Sequence, residues 1–263
     1  MLDVPELPSA VVTLPDTDVA ALWERFQPFE PLHHQMDIMN PMSSDELDEV
    51  IAALAPRDGA TAIDIACGHG ELLLRLAGGW EITGTGVDLS PWQIRRCALR
   101  GATAELRGSI TWILGEGFAA PSGPFTVATS LGASWIWHGF RGTASALHRR
   151  VEPRGRVAIG DLRLAEDGDP GALTGSVLTR TDQLAVLADV GLTPLAEVTP
   201  SGDAWEGYCA GTIRGANAYA VGNEGDPWAD RRALAREWLA EFEKDSTDLT
   251  WSVWIAERQV DTP

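Results

Sequence analysis

Three acidic residues, each closing or interrupting an apolar run and each followed by glycine-bearing or turn-forming residues, are the positions best suited to chemistry in this 263-residue sequence. The first is Asp64, inside Thr61-Ala62-Ile63-Asp64-Ile65-Ala66 and ahead of Cys67-Gly68-His69-Gly70-Glu71. An acid within an apolar run is costly to bury unless it meets a cation or hydrogen-bond donors. Glycines at 68 and 70 permit a tight turn and let a ligand lie against backbone N–H groups at a helix start. The second acid, Asp88, ends Gly86-Val87-Asp88, 18 residues after Gly70. An acid there can accept hydrogen bonds from both hydroxyls of a ribose. The third, Glu116 in Gly115-Glu116-Gly117, is placed to meet a purine amino group. A dinucleotide fingerprint would carry glycine where this chain has Leu73, which counts against a pyrophosphate ligand. A nucleoside with a cationic, phosphate-free tail fits three acids better.

These residues need a scaffold, and the hydrophobic patterning supplies one. Ser43 and Glu46 form a capping box ahead of Leu47, Val50, Ile51 and Leu54, predicting an amphipathic helix that ends before Pro56. Strands are expected at 61–66, 81–88, 111–114, 125–130, 155–161, 192–198 and 250–257, and helices at 20–26, 71–77, 92–100, 143–150 and 181–190. Ser90-Pro91 provides the N-cap and first-turn proline of the helix at 92–100. Strands alternating with helices predict an α/β, Rossmann-like, doubly wound sheet of seven mostly parallel strands, with a helical insertion before the last one. The three acids then converge at the carboxyl ends of successive strands, where such sheets bind ligands. We read 1–43 as an N-terminal leader and lid, irregular over 1–18, and 44–263 as the main domain. Residues 200–248 form its helical, substrate-covering insertion.

Composition narrows the trades open to such a domain. With 20 Lys+Arg against 38 Asp+Glu, the formal charge is −18 and the pI about 4.5. Nucleic acid and anionic membranes are bound largely through Lys and Arg, so neither is an expected partner. No apolar stretch is long enough to span a membrane, and the first residues lack a basic and apolar leader, so a cytoplasmic location is expected. Cys67, Cys97 and Cys209 are isolated, suggesting neither disulfide nor zinc site. His33-His34 with Asp37 lacks a fourth ligand nearby, and no metal is expected. Eleven Trp against two Tyr and six Phe is a heavy indole load, most of it expected in the core.

The motif set resembles the class I S-adenosylmethionine-dependent methyltransferases. Ala62-Ile-Asp64-Ile-Ala-Cys-Gly68-His-Gly70 matches the first motif and Gly86-Val-Asp88-Leu-Ser the acidic end of the second strand. Glu116-Gly117 stands for the Asp-Ala pair usual after the third strand, and Phe125 to Gly132 for the fourth. More narrowly, Asn40-Pro41 and Ser130-Leu-Gly-Ala-Ser134 resemble a bacterial small-molecule subgroup, one member of which methylates methionine sulfur. The resemblance implies S-adenosyl-L-methionine as cofactor. Asp64, Ala66, Gly68 and Gly70 would hold its methionine end, Asp88 and Leu89 the ribose, and Glu116 and Gly117 the adenine. Ser130 and Leu131 would wall the reacting methyl.

Methyl transfer from a sulfonium is an in-line displacement in which orientation and desolvation supply much of the acceleration. Should an N, S or O acceptor need to lose a proton, His138 and Asp161 are the candidate bases. Trp135, Trp137, Trp205 and Tyr208 are candidate substrate contacts, the first two as an aromatic wall for a cationic or amine-containing small acceptor. Two other readings stand beside this one: a non-catalytic S-adenosylmethionine-binding protein and an NAD-dependent oxidoreductase.

Overall fold

Period-two burial along the strands is what builds the molecule into layers. The structure, a computed structural model, describes residues 6–26, 30–166, 168, 177–221 and 248–260. In chain order the elements are β1 (Val11–Thr13), α1 (Val19–Phe26), α2 (Glu30–His33), α3 (Ser44–Leu54), β2 (Thr61–Ile65), α4 (Glu71–Gly79), β3 (Thr83–Asp88), α5 (Pro91–Thr103) and β4 (Ser109–Leu114). There follow β5 (Phe125–Leu131), α6 (Phe140–His148), β6 (Val151–Leu164), α7 (Arg180–Asp189), β7 (Leu192–Val198), α8 (Gly202–Val221) and β8 (Leu249–Arg258), with 3-10 turns at Gly117–Ala119 and Ser134–Trp137.

The sheet runs β1-β4-β3-β2-β5-β6-β8-β7, and only β8 is antiparallel to its neighbours. It therefore has eight described strands where seven were expected. The extra strand, β1, lies in the leader read as irregular: Val11 to Thr13 pair in parallel with Trp112 to Leu114. Three residues between prolines carry too little periodicity to announce a strand. Apart from the short α2, for which no helix was expected, the other strands and helices fall where the patterning put them, within a few residues at their ends. Of the insertion, α8 is described, and 222–247 lie outside the described residues. Among the described residues no helix is long and apolar enough to cross a membrane.

Alternation divides the core between the two faces. On β8, Trp251, Val253 and Ile255 pack with α3, α4 and α5, whereas Trp254 and Ala256 pack with α6 and α7. Among the described tryptophans Trp23, Trp112, Trp251 and Trp254 are buried, fewer than the majority expected in the core; Trp80, Trp92, Trp137 and Trp205 are half-buried and Trp135 is exposed. The helix α3 begins with the expected capping box: Glu46 N–H donates to Ser43 Oγ at 3.2 Å, and Ser43 N–H donates to Glu46 Oε2 at 2.7 Å. Glu46 Oε1 also accepts from Ser201 N–H at 2.7 Å, tying α3 to the start of α8.

For function, the decisive feature is where strand order reverses. Chain direction leaves β2 toward β3 on one side and meets β5 on the other, so a crevice opens beyond the carboxyl ends of β2 and β5. The segment 30–42 and helix α8 cover it from outside, with Met36 Sδ only 2.6 Å from where a Cβ on Gly211 would stand.

Candidate functional site

The turn after β2 is shaped by three left-handed residues in alternation: Ala66 at φ 60°, Gly68 at 52° and Gly70 at 75°. Backbone groups close it, with Cys67 N–H donating to Val87 O at 3.1 Å and Gly70 N–H to Cys67 O at 2.8 Å. Two glycines are demanded for different reasons. A Cβ on Gly68 would stand 2.7 Å from Met39 Sδ in the covering segment. A Cβ on Gly70 would stand 2.6 Å from the Trp112 indole, so Gly70 admits a core tryptophan behind the turn.

Asp88 anchors this turn to β3. Its Oδ2 accepts from Gly68 N–H at 2.9 Å and its Oδ1 from Ser90 N–H at 2.8 Å. Burial nevertheless pushes its carboxyl up to about 6, against the pull of those backbone donors. Asp64 is 4% exposed and accepts from Thr129 Oγ1 at 2.7 Å. Burial lifts its carboxyl to about 7, the Thr129 hydroxyl opposes this, and the charge of Asp88 adds to it. Both acids are thus held at a cost that a cationic or hydrogen-bond-donating ligand would relieve. Glu116 stands half-buried between β4 and the turn at Gly117–Ala119.

These groups face one cavity of about 630 Å³. Asp64, Ala66 and Gly68 line it from β2 and its turn, Asp88 and Leu89 from the end of β3, and Glu116 and Gly117 from beyond β4. Leu131 lines it from β5, Trp135 from the following turn, and Tyr208 from α8. Trp135 is 60% exposed, so its indole forms the cavity's outer lip. The Tyr208 hydroxyl lies 3.5 Å from His33 Nε2, and burial pushes its pKa up to about 12, so it stays protonated.

Six expected site residues stand outside the lining. Gly70 backs the turn against Trp112, and Ser130 is buried behind Leu131. The Trp137 ring packs into the core beneath Arg150, 5.7 Å from the guanidinium, so the two-tryptophan wall reduces to Trp135. In a 3-10 turn, residues two apart point to different sides. His138 is exposed at the turn's end, with φ 60°. Asp161 hydrogen-bonds the Ser134 side chain and accepts from Leu162 N–H at 2.9 Å, which directs it to holding the turn that carries Trp135. Trp205 packs on the core from α8.

The cavity is also lined by residues that the sequence reading did not assign to the site: His69, His33, Met39, Asn40, Gln93 and Arg25. His69 had a signal, being the residue between the two turn glycines. The others come from segments distant in sequence, and only the fold brings them near.

Comparison with known proteins decides what this arrangement belongs to. Residues 62–155 match a family model described as a methyltransferase domain, the stretch from β2 into β6 that carries all three acids. The chain shares the fold of class I S-adenosylmethionine-dependent methyltransferases, and the match to the methyltransferase-domain family spans its residues 62–155. A S-adenosylmethionine-dependent methyltransferase from Thiobacillus denitrificans, solved in complex with S-adenosyl-L-homocysteine, shares the fold at TM-score 0.79 and 24% identity, over 88% of this chain and 98% of that one. The uncharacterized protein YjhP of Escherichia coli (strain K12) is 25% identical over 181 residues, 65% of this chain and 73% of its own length. Its X-ray structure overlaps at TM-score 0.79. The 27-O-demethylrifamycin SV methyltransferase of Amycolatopsis mediterranei (strain S699) is 27% identical over 146 residues, 51% of this chain and 52% of that protein. The stretch that matches the methyltransferase-domain family thus sits on the expected α/β sheet.

Proposed function

We propose that this methyltransferase acts on a small-molecule acceptor, at N, S or O, by in-line displacement inside the cavity. The observation that carries the reading is the meeting of Asp64, Asp88 and Glu116 with the 66–70 turn in one cavity. When bound, S-adenosylmethionine supplies a methyl group already activated on a sulfonium. The residues present fit it: the buried Asp64 and the half-buried Asp88 with no ion-pair partner among the described residues, a turn with glycines at left-handed φ that lets a ligand approach the backbone, and an apolar wall at Leu131.

In this reading Asp64 and the Ala66–Gly68 turn hold the cationic methionine end, with Gly70 supporting the turn from behind. Asp88, fixed by two backbone donors, accepts from the ribose hydroxyls beside Leu89, and Glu116 with Gly117 borders the adenine. Leu131, backed by Ser130, limits the space beside the methyl. Of the expected leader and insertion, the described segment 30–42 acts as a lid and α8 as the substrate cover, while 222–247 lie outside the described residues. Trp135 at the lip and Tyr208 on α8 exclude water and orient the acceptor, with the Trp135 face suited to a cationic or amine-containing one. Asp161 serves as a positioning residue for the Trp135 turn. Alignment and desolvation then carry the rate without a dedicated base. A relative that by its name acts on 27-O-demethylrifamycin SV supports a small acceptor.

The test is to incubate the protein with S-adenosylmethionine and a panel of amines, thiols and hydroxyl compounds, following acceptor-dependent release of S-adenosylhomocysteine. Cofactor binding with no such release across a broad panel would favour a non-catalytic binding protein.

A further inference from the structure

His69 sits between the two turn glycines, is 1% exposed, and lines the cavity. Its Nδ1 lies 2.6 Å from the Met36 carbonyl oxygen. A carbonyl only accepts, so the ring proton is on Nδ1 and Nε2 presents a lone pair. Among the described residues, no group donates to that Nε2. Burial, followed by the nearby Arg96 charge, pushes the imidazole down to about 3, while Met36, His33 and Arg100 modify this less. The ring is neutral at any ordinary pH. Its position is fixed from two sides: Arg100 Nη1 donates to the His69 carbonyl at 2.8 Å, and Met36 is pinned against Gly211 of α8.

A buried acceptor without a donor is a defect unless a ligand completes it. The ligand must bring an N–H or O–H to this end of the cavity. On S-adenosylmethionine the sulfonium carries no hydrogen and the carboxylate only accepts. The ribose hydroxyls and the adenine amino group lie with Asp88 and Glu116 in the reading above. One donor remains.

We propose that His69 is a cofactor-recognition residue whose Nε2 accepts a hydrogen bond from the α-ammonium group of the cofactor's amino-acid tail. This rests on the proposed cofactor placement and deepens it. Asp64 supplies charge, while His69 supplies direction, turning the ammonium inward and keeping the carboxylate away from its lone pair. Its substitution therefore acts on tail recognition and leaves the nucleoside half untouched.

The experiment is calorimetric titration of wild type and His69→Asn with two probes: S-adenosylhomocysteine and its analogue lacking the α-amino group. Asparagine can keep the donation to Met36 through its amide nitrogen while leaving nothing at the Nε2 position. Affinity for S-adenosylhomocysteine is expected to fall roughly tenfold to a hundredfold, the range for a charged hydrogen bond, with the analogue unchanged. His69→Gln, which brings an amide oxygen near the Nε2 position, should recover part of the loss. Equal losses for both probes, or no loss, would overturn the proposal. If His69→Asn does not fold by thermal melting, the wild type still decides against it should both probes bind equally. Wild type binding neither probe overturns the cofactor placement itself, a separate outcome.

Discussion

Replacing Asp64 by asparagine should stabilise the unliganded protein and abolish its cofactor binding. The carboxyl titrates near 7 in the folded chain against an ordinary 3.8, because burial penalises its charge more than Thr129 compensates. A folded-state value raised in this way favours the protonated carboxyl. Its stabilising contribution is complete below about pH 3.8 and is lost as pH rises through about 7. The gap corresponds to about 4 kcal/mol as an upper limit, carried as a penalty by the charged form at pH 8. Asparagine is neutral throughout and can still accept from Thr129. Half of the limit, about 2 kcal/mol, corresponds to a Tm rise of roughly 4–8 °C for a domain of this size. Thermal melts from pH 5 to 8.5, with and without S-adenosylhomocysteine, read both effects. The expected pattern is a higher Tm for Asp64→Asn above pH 7, a difference that shrinks toward pH 5, and no ligand-induced rise. A variant less stable than wild type at pH 8, or one that keeps the ligand-induced rise, refutes the reasoning.

Asp88→Ala removes an acceptor of two backbone bonds as well as the ribose contact, and calorimetry should show affinity for S-adenosylhomocysteine lower by about 1–3 kcal/mol. Gly86→Ala places a Cβ 2.5 Å from the rigid Trp112 ring, and urea unfolding should report a loss of about 1–3 kcal/mol. Glu46→Ala breaks the α3 capping box and the bond to Ser201, costing about 1 kcal/mol in the same assay. Trp135→Ala should raise KM for the acceptor while leaving S-adenosylhomocysteine affinity close to wild type; unchanged acceptor kinetics would remove Trp135 from the substrate wall.

Much of the scaffold was legible because its signals are local. The capping box at Ser43, the Ser90-Pro91 helix start and the double-faced apolar run at 61–65 each place an element within a few residues. What escaped depends on distance. Strand β1 exists because Val11 to Thr13 find the free edge of β4, a partner about 100 residues on. Gly70 was read as ligand-facing and Gly86 only as part of the second motif, yet both make space for Trp112, whose side chain crosses behind the turn. Trp135 and Trp137 differ by two residues, and only the 3-10 geometry separates lip from core. The role of His69 needed Met36, 33 residues upstream, to fix its tautomer.

The most direct test of the cofactor cavity is a titration of the wild-type protein with S-adenosylhomocysteine at pH 6.5, repeated in buffers of different ionisation heat. The tail's ammonium favours the ionised forms of Asp64 and Asp88, whose carboxyls burial lifts to about 7 and about 6. One-to-one binding with net proton release, stronger at pH 8 than at pH 5.5, is the predicted result. No binding, or binding of NAD in its place, would contradict the account.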